Sequence, residues 1–132
     1  MAVDLRRGSP HFAKWVARTL SGENGLAVWV PVGFAHGYMA LDDNTYVWYK
    51  CTGPYVPDAE RALNYKDPHV GIKWPMEPRI ISQKDTVAPC LASAEFDFLY
   101  NARTSTDESD SGARGPLEGV AVRQWPQRAV DQ

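Results

Sequence analysis

The sequence has no long hydrophobic run, few cysteines and no excess of positive charge, and each absence closes off a class of function. No apolar stretch approaches the ~20 residues that span a bilayer, so nothing reads as a membrane helix. The first ten residues carry charge but no apolar core of a secretory signal. Cys51 and Cys90 are the only 2 cysteines, too few for a disulfide framework and not spaced as metal ligands. A reduced, cytoplasmic compartment is therefore the expectation. Lys and Arg number 14 against 16 Asp and Glu, for a formal charge of -2, which is not the basic footprint of a nucleic-acid binder. There is no internal repeat, no long amphipathic helix and no His-x-His pair.

What is present suits one small domain. The 132 residues are 44% hydrophobic and 23% charged, enough to bury a core. Five Trp, 6 Tyr and 10 Pro favour a β-rich domain with irregular loops. Asn44–Thr52 alternates Thr45, Val47, Tyr49 and Cys51 with Tyr46, Trp48, Lys50 and Thr52, the period of a strand. Gly25–Val30 and Tyr38–Leu41 read as further strands, and Asp42-Asp43-Asn44 as the turn between the last two. Phe12–Leu20 fits strand or helix, with strand preferred beside its neighbours. Gly53 to Pro78 is a long proline-rich connection with room for one helical turn near Asp58–Ala62. The composition changes near residue 95. Asn101–Gly112 has no large apolar side chain, and Trp125 is the only aromatic beyond it. Such a stretch buries too little to offset the ~1–2 kcal/mol per residue that ordering a backbone costs. We read residues 1–95 as the folded domain and 96–132 as a largely disordered tail, with Glu95–Tyr100 adding a short strand or covering an edge. The coarse expectation is a small antiparallel β sandwich or barrel.

The densest local pattern is Pro31-Val-Gly-Phe-Ala-His36, where a proline and a glycine set a tight turn ahead of a histidine. Pro-x-Gly-x-x-His resembles the second signature of the cupin superfamily, small jelly-roll barrels. A metal needs three or more converging ligands. His11 and His69 do not provide that spacing, so His36 reads as a structural or pocket-lining residue and no metal is expected.

A longer resemblance runs through the chain. Val3-Asp-Leu-Arg-Arg-x-Ser-Pro10, Phe12-x-Lys-Trp-Val16, Leu20-Ser, Glu23-Asn24, Trp29-Val-Pro-x-Gly-Phe-Ala-His-Gly37, Tyr49-Lys-Cys-Thr52, Glu60-Arg61, Asp67-Pro68, Gly71-Ile72, Trp74-Pro75 and Ile81-Ser-x-Lys-Asp85 follow in one order. This resembles the C-terminal part of the dTDP-4-dehydrorhamnose 3,5-epimerase family over roughly residues 3–95. The resemblance implies a truncated, all-β cupin-type jelly roll without metal or cofactor. It implies a homodimer acting on a nucleotide sugar, and epimerisation of dTDP-4-keto-6-deoxyglucose at C3 and C5 on the route to dTDP-L-rhamnose. By position in the motifs, Tyr49 corresponds to the proton donor and Asp85 to the carboxylate that orients the catalytic base. His36, Lys50 and Tyr55 fall among the substrate-binding residues. Read without the resemblance, Tyr49 is a strand aromatic, Lys50 a strand-face lysine whose charge reaches solvent, Tyr55 a ring against neighbouring prolines, and Asp85 a loop acid. The family's base belongs to a Gly-Leu-His-Tyr motif, which the 132 residues do not contain. The expectation is an epimerase-like chain with impaired turnover; the alternative is a non-catalytic cupin remnant that binds a nucleotide sugar or only a protein.

Overall fold

β1, Ala2–Asp4, is the strand around which the N-terminal region is built. It pairs antiparallel with β2, Trp15–Val16, on one side and with β4, Phe34–His36, on the other, with Val3 opposite Trp15 and Ala35. Both edges of β1 are thus occupied, and its side chains are buried on both faces. Ala2, Val3 and Leu5 enter the core with Val16, and Val28, Val30 and Phe34 pack against it. β3, Leu26–Trp29, pairs antiparallel with β5, Ala121–Gln124, in a separate two-stranded sheet. This computed structural model describes residues 1–101 and the strand 121–124.

Local chemistry explains the short strands. Ala13 adopts a left-handed backbone, φ 63°, so the run expected from Phe12 onward is a strand only at Trp15–Val16. The Asn24 carboxamide accepts from the Ser21 and Leu26 amides and donates to the Thr19 carbonyl. That closes the loop which delivers the chain into β3. Phe98–Tyr100 runs beside the continuation of β1: Arg7 N–H donates to the Phe98 carbonyl at 2.7 Å, and Tyr100 N–H to the Arg7 carbonyl at 2.9 Å. Of the two roles open to Glu95–Tyr100, it covers an edge, with one parallel bridge between Arg7 and Leu99.

The described residues form two compact units, residues 1–36 with 97–101 and 121–124, and residues 37–96. Within the second, no residue lies in a strand. It contains a 3-10 turn at Pro57–Ala59, close to the expected helical turn, and one short helix, α1, at Gln83–Thr86. Its organiser is Asp67, 1% exposed, whose carboxylate accepts from the amides of His69 and Leu91. Asn64 N–H donates to the Pro89 carbonyl, and Trp74 Nε1 to the Tyr65 carbonyl, each at 2.9 Å. Turns joined by such bonds replace a sheet.

Two sequence expectations need correction here. Neither Tyr38–Leu41 nor Asn44–Thr52 is a strand, although the turn between them forms, with Asn44 left-handed at φ 59° and the Thr45 hydroxyl donating to the Asp42 carbonyl. Alternation specifies which faces a strand would have, but a strand also needs a neighbouring ladder, and no described residue supplies one here. Within the stretch read as a tail, Ala121–Gln124 forms β5; residues 102–120 and 125–132 lie outside the described residues. The described residues are thus mainly antiparallel strands and turns with little helix, and none of their helices is long and apolar enough to cross a membrane.

Candidate functional site

The turn that precedes His36 is set by close packing. Gly33 sits at φ 91°, and a Cβ there would lie 2.5 Å from Arg6 Cγ. Only glycine fits, and its carbonyl accepts the Leu5 amide at 2.9 Å. Arg6 is itself fixed. Its Nε and Nη2 reach the two oxygens of Asp4 at 2.9 and 2.6 Å, and its guanidinium lies 4.5 Å from the Phe34 ring centre and 5.0 Å from that of Tyr100. Asp4 is fully buried and also accepts from the Ser9 hydroxyl at 2.7 Å. Desolvation pushes the Asp4 carboxyl up, but the bonds from Arg6 and Ser9 outweigh it and hold the group below the usual carboxylate range. The result is a rigid platform on which β4 carries His36 opposite Ala2. His36 is exposed by surface area, yet partial desolvation, helped by the Met1 ammonium, lowers its pKa. The neutral imidazole is favoured, able to donate from one nitrogen and accept at the other.

The other four candidates belong to the second unit. Tyr49, 71% exposed, and Lys50 lie in the stretch from Leu41 to Ala62, every residue of which is exposed. Tyr55 and the segment of Asp85 are joined by a polar network. The Tyr55 hydroxyl donates to Glu60 Oε2 at 2.9 Å, and Lys84 Nζ reaches both Glu60 oxygens at 2.8 Å. The Lys84 ammonium, then the Tyr55 hydroxyl, lower the Glu60 pKa, while Glu60 raises those of Tyr55 and Lys84. Asp85 sits in the first turn of α1, where it accepts the Ser82 hydroxyl at 2.7 Å while its amide donates to the Ser82 oxygen at 3.2 Å. This reciprocal cap holds the exposed carboxylate in place.

Glu60 and Lys84 were visible in the sequence as parts of Glu60-Arg61 and Ser82-x-Lys-Asp85, but nothing in the pattern assigned them to each other across 24 residues. Likewise, Asp4 and Arg6 stood in the quoted Val3-Asp-Leu-Arg motif without a role. An open cleft of about 650 Å³ beside Tyr65, Asp67, Ile72, Trp74 and Met76 includes none of the five candidates. Among the described residues, no three His, Cys, Asp or Glu side chains converge as a metal ion would require.

Comparison with known proteins gives the family. The family model for dTDP-4-dehydrorhamnose 3,5-epimerase matches residues 1–93. The chain belongs to the dTDP-4-dehydrorhamnose 3,5-epimerase family. A relative of that name from Sinorhizobium fredii is 46% identical over 101 residues, covering 76% of this chain and 52% of the relative. Another from Pseudomonas aeruginosa is 42% identical over 96 residues, covering 72% of this chain and 53% of its own length. A Streptomyces antibioticus protein named as a probable dTDP-4-oxo-2,6-dideoxy-D-glucose 3,5-epimerase is 42% identical over 81 residues, 61% of this chain and 40% of the relative. The chain therefore spans about half the length of the curated epimerase relatives from Sinorhizobium and Pseudomonas.

Proposed function

We propose that this chain works on a dTDP-4-keto-6-deoxyglucose, as the part of a 3,5-epimerase that carries its proton donor. The observation behind the reading is the family match over residues 1–93, which takes in Tyr49-Lys-Cys-Thr52 and Ser82-x-Lys-Asp85. C3 and C5 of the sugar both flank the C4 ketone, so loss of either proton leaves an enolate. Inversion then needs a base on one face of the ring and a proton donor on the other. Tyr49 is the donor. Asp85, held by Ser82, is the carboxylate that orients a histidine base. Tyr55, tethered by Glu60, offers the ring on which a nucleobase stacks, and His36 and Lys50 contact the substrate.

The architecture that goes with this function is a cupin-type jelly roll over residues 1–95, to which Ala121–Gln124 of the stretch 96–132 adds a strand. It goes with a cytoplasmic homodimer without metal or cofactor, whose turnover is impaired.

A second reading is a nucleotide-sugar binder that does not turn over. It is favoured by the lack of Gly-Leu-His-Tyr in these 132 residues. One experiment separates the two: solvent deuterium incorporation at C3 and C5 of the keto-sugar, run beside nuclear magnetic resonance detection of dTDP binding. Loss of a general base costs ~10²–10⁴ in rate, so exchange by the chain alone should fall below that of the Pseudomonas aeruginosa relative by at least that factor. Residual exchange abolished by Tyr49→Phe supports the epimerase reading. Binding without exchange supports the second, and neither binding nor exchange removes both.

A further inference from the structure

Among the described residues β3 has one strand partner, and it comes from outside the family match. The ladder of β3 with β5 sets Leu26 against Gln124, Ala27 against Arg123, Val28 against Val122 and Trp29 against Ala121. The match to the family ends at residue 93, so the family's pattern does not extend to β5. The local sequence suits a strand: Val120-Ala-Val122 is the longest apolar run beyond Asn101 and lies between Gly119 and Pro126. β3 in turn bears on the first sheet. Val28 and Val30 pack against Ala2 and Val16, and only residues 30–33 separate Trp29 from β4, which ends in His36. At the end of that turn Gly33 lies so close to Arg6 that no Cβ would fit.

From these observations we infer that Ala121–Gln124 is a strap, drawn from the C-terminal stretch of the same chain, that holds β3 on the core and so fixes the turn presenting His36. A two-stranded ribbon four residues long is marginal by itself. The strap is therefore releasable, whereas β1, with a strand on each side, is held more firmly. Release gives the β3 amides that faced β5 back to water and loosens the approach to β4. The C-terminal stretch thereby controls where His36 stands. The inference rests on the fold and not on the epimerase reading, because every readout below is made on the free chain without a sugar.

The test uses the full chain of 132 residues, followed by nuclear magnetic resonance and hydrogen exchange. In the parent, backbone protons of 26–29 and 121–124 should show contacts within one chain, and a mixture of differently labelled copies should show none between chains. Successive amides of an antiparallel strand point to opposite edges, so joining Val122→Pro with Arg123→Pro removes a ladder donor in either phase. In that double variant the slowest β3 amides should exchange at least ~10-fold faster and the His36 imidazole resonances should move, with β1 accelerated less. Val130→Pro, outside the strand, should leave all three as they are. Four results would overturn the inference: no β3–β5 contacts in the parent, which requires no variant to fold; contacts between copies instead of within one; β3 exchange or His36 resonances unchanged in the double variant; or equal acceleration of β1 and β3.

Discussion

Ala2–Leu5 and Tyr46–Tyr49 are both short apolar-rich stretches, and they finish at opposite extremes of burial. Val3 is 1% exposed and Tyr46 96%. The difference does not lie in the side chains, because aromatic Tyr-Val-Trp-Tyr has at least as strong a strand tendency as Ala-Val-Asp-Leu. It lies in neighbours. β1 has a strand on each side, and its continuation at Arg7 is bonded to Phe98–Tyr100, while the charge of Asp4 is accommodated by Arg6 and Ser9. The segment after Asn44 has the pattern but sits in no sheet. Burial here follows from who pairs with whom, and propensity only nominates the candidates.

The most severe way to break the contrast is to damage the buried side. Asp4→Ala leaves the Arg6 guanidinium, only 17% exposed, without its carboxylate. We expect a loss of about 3–5 kcal/mol, a large part of the stability of a small domain, measured by urea denaturation. A loss under about 1 kcal/mol would mean that the pair is not what anchors β1.

A smaller effect should come from the second unit. Asp67→Asn removes one charged acceptor from the His69 and Leu91 amides and should cost about 1–2 kcal/mol, with faster exchange at the Leu91 amide. The pH dependence sharpens the same point. At both Asp4 and Asp67 desolvation acts upward but is outweighed, by Arg6 and Ser9 at the first and by the Leu91 and His69 amides at the second. Their folded pKa values thus lie below the unfolded ~3.9. Stability gained this way is complete above that value and is lost as the pH falls through the folded pKa. The low-pH decline in stability should therefore be shallower in Asp67→Asn than in the parent. An equally steep decline would show that Asp67 adds nothing at neutral pH.

The least effect belongs to the exposed side. Tyr46→Ala in the chain alone should change stability by no more than about 0.5 kcal/mol, because a side chain that is 96% exposed has little contact to lose. A larger loss, read from the same urea curves, would mean that the segment is packed in solution and that the contrast with β1 is false.

Turns and short-range punctuation were the most legible features. Asn44, the glycine of Pro31-x-Gly and the 3-10 turn near Asp58 all sit where residue chemistry places them, because left-handed or proline-fixed backbone is decided within three or four residues. The strand at Leu26–Trp29 was legible for the same local reason. Its partner was not: Ala121–Gln124 lies some hundred residues away in a stretch whose composition argues for no structure. The site divides the same way. The order of motifs gave family membership and nominated His36, Tyr49, Lys50, Tyr55 and Asp85. The Glu60–Lys84 contact that links two of their segments could not be read, since two surface charges 24 positions apart carry no signal of meeting.

Composition, alternation and motif order therefore determined by themselves that this is a β-rich member of the dTDP-4-dehydrorhamnose 3,5-epimerase family and where its backbone must turn, and nominated the residues proposed for its chemistry. Only the tertiary structure decided that Ala2–Asp4 is the central strand of its sheet, that Asp4 and Asp67 are buried with their hydrogen bonds satisfied, and that Asn44–Thr52 lies outside any sheet. The physical reason is range. A turn or a helix cap is settled by interactions between residues a few positions apart, whereas a strand's burial depends on free energy contributed by partners the local sequence does not contain.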